Sequence, residues 1–273
     1  VIQKDSGKIF GDQITINNGG EIKQNQSSNI VADDNIDIDT AGNIVQNDEG
    51  IISALNKLAI DVNEDIIQNE FSLIEADIID INQNSYTGDN ILQGENSQIK
   101  TDELTIQTNH SQILIGNNQI AKFNSISQDS GKIELNNNKE LTIAGISQES
   151  GNISINNEFN LDVAGTVSTK DGSNVNLTSG GKIVQSNNSK IIPKNLKLKS
   201  AGSQLLIGNN EINKLDSVNS LQGNIKLNSI SDKLTIFKII QKLDGSVNIN
   251  QDGVLDINKI EVPKSNVKIE TTN

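Results

Sequence analysis

Apolar residues along this chain recur at every second position in short runs, with polar residues between them. Such runs are typical of a β-strand with one buried face, because successive side chains point to opposite faces. Helical spacing of apolar residues at i, i+3 and i+4 is nearly absent. Only Ile51–Ile60 suggests a helix, and the alternating runs around it favour strands there too. The pattern therefore predicts an all-β chain.

One alternating pair of apolar residues recurs about every 22 residues along the whole chain. The steps between successive pairs are 20 to 25 residues long, apart from two steps of 29. A period of this size, held over the full length, indicates a solenoid rather than two globular domains. The twelve pairs are Ile14/Ile16, Ile36/Ile38, Leu58/Ile60, Ile79/Ile81, Leu104/Ile106, Ile133/Leu135, Ile153/Ile155, Val175/Leu177, Leu196/Leu198, Ile225/Leu227, Val247/Ile249 and Val267/Ile269.

Three short strands fit into each repeat, with Gly, Asn, Asp and Ser between them. These residue types favour tight turns. The sequence therefore predicts a parallel β-helix over residues 1–273, a single domain of about twelve coils that stack at the inter-strand spacing of about 4.8 Å. The 41 Asn residues suit the left-handed backbone of such turns. Stacked Asn side chains are also expected to hydrogen-bond from coil to coil.

One phrase occurs twice with nine of thirteen positions identical, at Ser111–Phe123 and at Ser203–Leu215, 92 residues later. Its centre, Gly-Asn-Asn, falls in each of the two 29-residue steps. We expect the phrase to mark a long coil, with about seven extra residues that lengthen one face or form a protruding turn.

Composition excludes several functional classes. The formal net charge is −13, all 22 basic residues are Lys, and aromatic residues make up 2% of the chain. A chain with these properties lacks the groups that neutralise phosphates and stack on bases, so no nucleic acid is expected as a partner.

Cys is absent, and no apolar run approaches the roughly 20 residues of a transmembrane helix. No initiator Met or signal peptide is present, so we expect a mature or excised piece of a longer protein.

The densest acidic cluster contains Asp33, Asp34, Asp37 and Asp39. Asp37 and Asp39 flank Ile38, so they are expected to point outward from one strand, about 7 Å apart. Two such carboxylates suit a hard cation, or they form a solvated edge. Further carboxylates extend an acidic stripe along the solenoid: Asp61, Asp65, Asp77 and Asp80. We assign no metal ligand and no cofactor-binding residue from this pattern.

His110 is the only histidine, and it lies just before the first Gly-Asn-Asn phrase. Catalysis by a histidine needs a carboxylate or a nucleophile within reach, and a histidine in a polar turn is usually exposed. We therefore assign no catalytic residue and do not expect an enzyme. A β-helix lyase or hydrolase that acts on polysaccharides is kept as the last of three hypotheses. The missing Arg and the scarce aromatic residues count against it.

Four motifs follow one another in the second half of the chain. They are G-x-I-x-Q at Gly181–Gln185, L-x-L-x-S-x-G at Leu196–Gly202, an apolar-G-x-N-x-I-x-x-L phrase at Ile207–Leu215, and G-x-I-x-L at Gly223–Leu227. This order resembles the repeat region of filamentous-haemagglutinin-like large exoproteins of the two-partner secretion system. The match is clearest over residues 103–262. Residues 1–102 form more degenerate coils, matched only through G-x-I-x-Q at Gly20–Gln24 and Gly42–Gln46, with Glu64–Gln68 departing from the motif by its first residue.

The resemblance implies a right-handed β-helix that is secreted through an outer-membrane transporter partner and displayed on a Gram-negative surface. It implies a stalk that carries an adhesive or toxic region, and a receptor or glycan on a host or neighbouring cell that binds outside this piece. The family's secretion domain carries an Asn-Pro motif, which neither Pro193 nor Pro263 completes. A structural stalk segment is our leading hypothesis. A fibre subunit that self-associates end to end is the alternative.

Overall fold

The structure is a computed structural model, which describes residues 1–4, 6–83, 90–263 and 266–272. Every regular element in these ranges is a β-strand, and neighbouring strands pair in parallel. The predicted fold class, an all-β parallel solenoid of about 12 turns, is confirmed, with about 21 residues per turn. The chain divides into two compact units, unit 1 at Val1–Lys139 and unit 2 at Glu140–Asn273. The prediction of one domain over residues 1–273 stays a prediction.

Unit 1 contains fourteen described strands. They are β1 (Ile2–Gln3), β2 (Lys8–Asn18), β3 (Ile22–Gln24), β4 (Asn29–Thr40), β5 (Ile44–Gln46), β6 (Ile51–Ala54), β7 (Lys57–Val62), β8 (Ile66–Gln68), β9 (Leu73–Glu75), β10 (Ile78–Gln83), β11 (Ile91–Gln93), β12 (Gln98–Thr108), β13 (Gln112–Ser130) and β14 (Ile133–Asn137). The segment Ile51–Ile60 lies in β6 and β7, so its interpretation as strand is confirmed.

Three ladders of stacked strands build unit 1, and the long strands β2, β4, β12 and β13 each run through more than one of them. The first ladder aligns Ile22, Ile44, Ile66, Ile91, Gln112 and Ile133. The second aligns Ile9, Ile30, Ile52, Ile74 and Ile99. The third aligns Ile14, Ile36, Leu58, Ile79, Leu104 and Phe123. The inward side chains of all three ladders meet in one core, where most are fully buried.

Unit 2 repeats this construction. Its described strands are β15 (Leu141–Ser150), β16 (Ile153–Asn157), β17 (Leu161–Val163), β18 (Thr166–Thr169), β19 (Asn174–Ser179), β20 (Ile183–Gln185), β21 (Lys190–Ile192), β22 (Asn195–Ser200), β23 (Gln204–Asn210), β24 (Lys214–Ser220), β25 (Ile225–Ser229), β26 (Lys233–Ile236), β27 (Ile239–Gln241), β28 (Ser246–Asp252), β29 (Val254–Ile257), β30 (Ile260–Glu261) and β31 (Asn266–Thr272). Its clearest ladder aligns Leu161, Ile183, Gln204, Ile225, Val247 and Val267.

The expected long coils at the Gly-Asn-Asn phrases are wrong. Leu104 pairs with Phe123, only 19 residues later, while Ile133 pairs with Gln112 in a different ladder. In unit 2, Leu196 pairs with Leu215 at the same interval. All three faces carry the same apolar alternation. The series of apolar pairs read from the sequence therefore changed from one ladder to another at each Gly-Asn-Asn phrase. The two 29-residue steps came from that change of ladder.

The turns of unit 1 depart from the expected use of Asn. Among the described residues, the non-glycine positions with positive φ are Ser6, Gln26, Ser27, Asp48, Glu49 and Phe71, and none of them is Asn. Coil-to-coil hydrogen bonding between Asn side chains is confirmed, because Asn47 donates to Asn25 at 2.9 Å and Asn69 donates to Asn47 at 2.5 Å. Asn25, Asn47 and Asn69 therefore stabilise the stacking of coils rather than a left-handed turn.

Candidate functional site

The acidic cluster of unit 1 divides between two surfaces. Asp37 and Asp39 are exposed on β4, while Ile36 and Ile38 beside them are buried, as predicted. Asp33 instead lines a groove of about 650 Å³ at a corner of the unit, together with Asp77. The floor of that groove is a stack of small side chains from successive coils: Ala32, Ala54, Ala76 and Thr101. The four aspartates therefore do not converge on one point.

The predicted acidic stripe is also interrupted. Asp39 and Asp61 are direct neighbours on adjacent coils, but Ala59 lies between Asp37 and Asp80. Asp80 forms an ion pair with Lys57 at 2.7 Å, which raises the pKa of Lys57. Asp65 belongs to a turn near the first ladder, where its Oδ1 accepts a hydrogen bond from the backbone of Asn90 at 2.7 Å. Within the described ranges, no group of three or more His, Cys, Asp or Glu is arranged to hold a metal ion.

Asp34 is held by two amide side chains from the neighbouring coils. Gln13 Nε2 donates to Oδ2 at 2.8 Å, and Asn56 Nδ2 donates to Oδ1 at 2.7 Å. These two hydrogen bonds favour the carboxylate, so they lower the pKa of Asp34, with the bond from Gln13 as the larger cause. Asp34, a member of the predicted acidic cluster, therefore stabilises the stack of coils.

His110 is half-buried, and its Nδ1 lies 3.1 Å from the carbonyl oxygen of Ser130. This neighbour is a backbone group on the next coil. The described contacts of the ring thus include neither a carboxylate nor a nucleophile, and they position His110 as a link between coils.

The most regular feature of unit 1 is a ladder of buried amides that the sequence analysis did not assign. Gln24 donates to Gln3 at 3.1 Å, Gln46 to Gln24 at 2.9 Å, and Gln68 to Gln46 at 3.1 Å. Gln93 continues the series by donating to Gln68 at 3.2 Å. Every donor faces the preceding coil, so the amide dipoles align and reinforce one another. We call these five residues the glutamine ladder.

The Gly-Asn-Asn phrase ends the glutamine ladder with a reciprocal pair of hydrogen bonds. Asn118 Nδ2 donates to Gln93 Oε1, and Gln93 Nε2 donates to Asn118 Oδ1, both at 2.8 Å. The backbone N–H of Gly116 donates to the same Gln93 oxygen at 2.9 Å, and the N–H of Ile99 donates to Asn118 Oδ1 at 2.8 Å. Asn118 is completely buried, so the phrase lies inside the coil and does not protrude.

Unit 2 contains the same arrangement 92 residues later. Gln185 Nε2 donates to Asn210 Oδ1 at 2.7 Å, Asn210 Nδ2 donates to Gln185 Oε1 at 3.0 Å, and Gly208 N donates to that oxygen at 3.0 Å. Ile191 N donates to Asn210 Oδ1 at 2.9 Å. We call each arrangement of one Gln, one Gly and one Asn an amide clamp. The duplicated phrase therefore encodes a duplicated local structure.

Glycine is required in both amide clamps by the closeness of the preceding coil. A Cβ on Gly116 would lie 2.2 Å from the carbonyl oxygen of Ser97, and one on Gly208 would lie 2.2 Å from that of Ser189. Real Cβ atoms do not approach backbone oxygen so closely. The sequence signal for this site was available in the recurring Gln of G-x-I-x-Q and in the repeated phrase, but neither reveals which side chains point inward.

The fold and these sites define the chain as a parallel β-solenoid with internal amide ladders. No family model, curated protein sequence or solved structure matches it. Among the described residues there is no helix with the length and apolar character needed to cross a membrane.

Proposed function

We propose that this chain is a structural spacer, a stalk segment of a secreted surface exoprotein similar to the filamentous haemagglutinins. The observation that carries the proposal is the coil-to-coil bonding within each unit. In unit 1, parallel backbone ladders on three faces run together with the glutamine ladder and the outer Asn25–Asn47–Asn69 stack. Every coil is thus fixed to its neighbours at about 4.8 Å per step.

The titratable side chains that were candidates for catalysis or metal binding support the same proposal. Asp34, Asp80 and His110 all bond to groups on neighbouring coils. Their described contacts stabilise stacking. In the proposed role the chain is exported through an outer-membrane partner and holds an adhesive or toxic region away from the bacterial surface.

A spacer must have a length that is fixed by its number of coils, and unit 1 offers a direct test. The outward row Asn17, Asp39, Asp61, Asn82 and Gln107 crosses four coil steps. Spin labels on Asn17→Cys and Gln107→Cys, in a chain without native cysteine, are expected to give a narrow distance distribution centred near 19 Å. Removal of residues 25–46, one coil of 22 residues, is expected to shorten this distance by about 4.8 Å.

The matched control removes residues 25–35, half a coil, which breaks the register of every ladder and is expected to abolish the narrow distribution. A broad distribution in the intact chain contradicts a stiff spacer. An assay on acidic and neutral polysaccharides tests the competing enzyme hypothesis. Turnover that is lost in Asp33→Asn or Asp37→Asn would replace the spacer by a carbohydrate-active enzyme.

A further inference from the structure

The charges of this chain are divided unequally between its two units. Unit 1 has 22 acidic residues against 8 Lys, whereas unit 2 has 13 acidic residues against 14 Lys. Within unit 2, residues 172–242 contain ten Lys and only three acidic residues. The overall charge of −13 therefore conceals a strongly acidic unit and a basic stretch of about three coils.

The basic stretch exposes two lysines on one sheet face. Lys197 and Lys199 are outward residues of β22, two positions apart, and both are exposed. Neither forms an ion pair with any described residue. Their register neighbours on the coils before and after are all uncharged: Asn176, Thr178, Ser217 and Asn219. We call this surface the lysine face.

Unit 1 presents the opposite charges with the same spacing. Asp37 and Asp39 are outward residues of β4, two positions apart and exposed, and Asp61 lies beside Asp39 on the next coil. None of the three has an ion-pair partner among the described residues. Their other register neighbours in the ladder are all uncharged: Thr15, Asn17, Ala59 and Asn82. We call this surface the aspartate face.

We propose that the lysine face binds the aspartate face of a second copy of the chain. Residues i and i+2 on any strand are about 6.6–7 Å apart, so two charges on one face meet two opposite charges on the other without rearrangement. All five charged side chains extend from strands, and none forms an ion pair with a described residue; Lys57, which is paired with Asp80, also attracts Asp37. Charge complementarity between two strand faces of equal spacing therefore favours a copy of this chain as the occupant.

The ionic strength decides how strongly the two copies associate. Each copy has a net charge of −13, so whole molecules repel one another at low salt. At about 0.1 M salt this repulsion is screened beyond about 10 Å, while pairs in contact still attract. The faces are polar, which is typical of weak and reversible interfaces. Association is therefore expected to be greatest near 0.1 M salt and to disappear at about 1 M.

Sedimentation velocity of the full chain over a concentration series tests the proposal by charge reversal. Asp37→Lys with Asp39→Lys, or Lys197→Asp with Lys199→Asp, is expected to weaken association about tenfold or more, because like charges then face each other. The chain that carries all four substitutions is expected to recover wild-type association, since the attraction is restored with reversed signs. All four positions are exposed, so folding is expected to persist in each variant, and a far-ultraviolet circular dichroism spectrum checks it.

A matched control reverses two other exposed lysines of unit 2, Lys182→Asp with Lys226→Asp, and is expected to leave association unchanged. Three results overturn the proposal: a wild-type chain that stays monomeric at every concentration, a fourfold variant that associates no better than the double variants, or two double variants that each associate as strongly as the wild type. Capture of polygalacturonate by a monomeric wild-type chain, lost with Lys197→Asp and Lys199→Asp, would assign the lysine face to an anionic polymer instead.

Discussion

The side-chain amides of Gln93 and Asn118 donate to each other, at 2.8 Å in both directions, across 25 residues of sequence. The pair is buried, and each partner satisfies the other together with a backbone N–H. The same relationship joins Gln185 to Asn210. Burial of an amide side chain costs least where its polar atoms have partners, as they do here. The amide clamps therefore fix the register of each coil on the one before it.

Interruption of the glutamine ladder is expected to destabilise unit 1. Gln46→Leu keeps the approximate volume but leaves Gln24 Oε1 without its 2.9 Å donor and Gln68 Nε2 without its 3.1 Å acceptor. Gln68 Nε2 keeps a 3.4 Å hydrogen bond to the carbonyl oxygen of Gln98, so the main cost falls on Gln24 Oε1. A buried amide oxygen without a partner costs about 1–3 kcal/mol, so we expect a loss of about 2 kcal/mol. Urea denaturation followed by circular dichroism measures this loss.

The matched control for Gln46 is the next residue in the chain. Asn47 bonds to Asn25 and Asn69 in the outer stack, where water replaces a lost partner. Asn47→Ala is expected to cost less than about 1 kcal/mol. Equal losses of unfolding free energy in Gln46→Leu and Asn47→Ala would contradict the idea that burial makes the glutamine ladder more stabilising than the outer Asn stack.

Replacement of the glycine in either amide clamp by alanine is expected to destabilise the fold. Gly116→Ala places a Cβ against the carbonyl oxygen of Ser97, and Gly208→Ala does the same at Ser189. Each variant is expected to lose about 2–3 kcal/mol of stability, because the close approach of the coils must relax. Gly19→Ala is the control, since no atom lies within 4 Å of the added Cβ. Thermal and urea unfolding of the three variants compares them, and a neutral Gly116→Ala contradicts so close an approach of the two coils.

Asp34 is expected to titrate below its ordinary pKa of 3.8 in the folded chain, because Gln13 and Asn56 donate to its carboxylate. A folded-state pKa below the unfolded one means that Asp34 stabilises the fold above about pH 3.8. This contribution disappears as the pH falls through the folded-state pKa. Carboxyl-detected nuclear magnetic resonance titration measures the shift directly.

Removal of either donor is expected to raise the pKa of Asp34 towards 3.8, with the greater effect in Gln13→Ala than in Asn56→Ala. Asn17→Ala is a suitable control on the same face, because Asn17 does not donate to Asp34 in the structure. An unchanged titration in both donor variants would mean that hydrogen bonds do not set this pKa.

The substitution Phe71→Gly is expected to increase the stability of the fold. The φ of Phe71 is +59°, a left-handed conformation that strains a bulky residue, and its side chain is 63% exposed. Phe71→Gly relieves the strain and removes little packing, so we expect a gain of about 0.5–1 kcal/mol. Phe10 is similarly exposed but lies in β2 without positive φ. Phe10→Gly is expected to lose about 0.5–1 kcal/mol in the same urea experiment.

The candidate sites could be predicted only in part. The outward direction of Asp37 and Asp39 followed from their positions beside Ile38, and the structure confirms it. The placement of Asp33 in the groove did not follow, because β4 passes from the second ladder to the third at this point and its register with β2 shifts there. The partners of Asp34 lie 21 and 22 residues away, so they depend on the exact register of three coils.

The sequence by itself indicated a parallel solenoid, because a two-residue alternation within a period near 22 lets each coil bury its apolar face against the next. Only the tertiary structure decided which ladder each strand joins. Leu104 stacks on Phe123 and not on Ile133, since all three faces have the same apolar pattern and only the closure of each coil distinguishes them. The tertiary structure also decided that Gln24, Gln46, Gln68 and Gln93 face inward. Their buried amides are stabilised by hydrogen bonds to the amides and backbone carbonyls of neighbouring coils, which no single repeat contains.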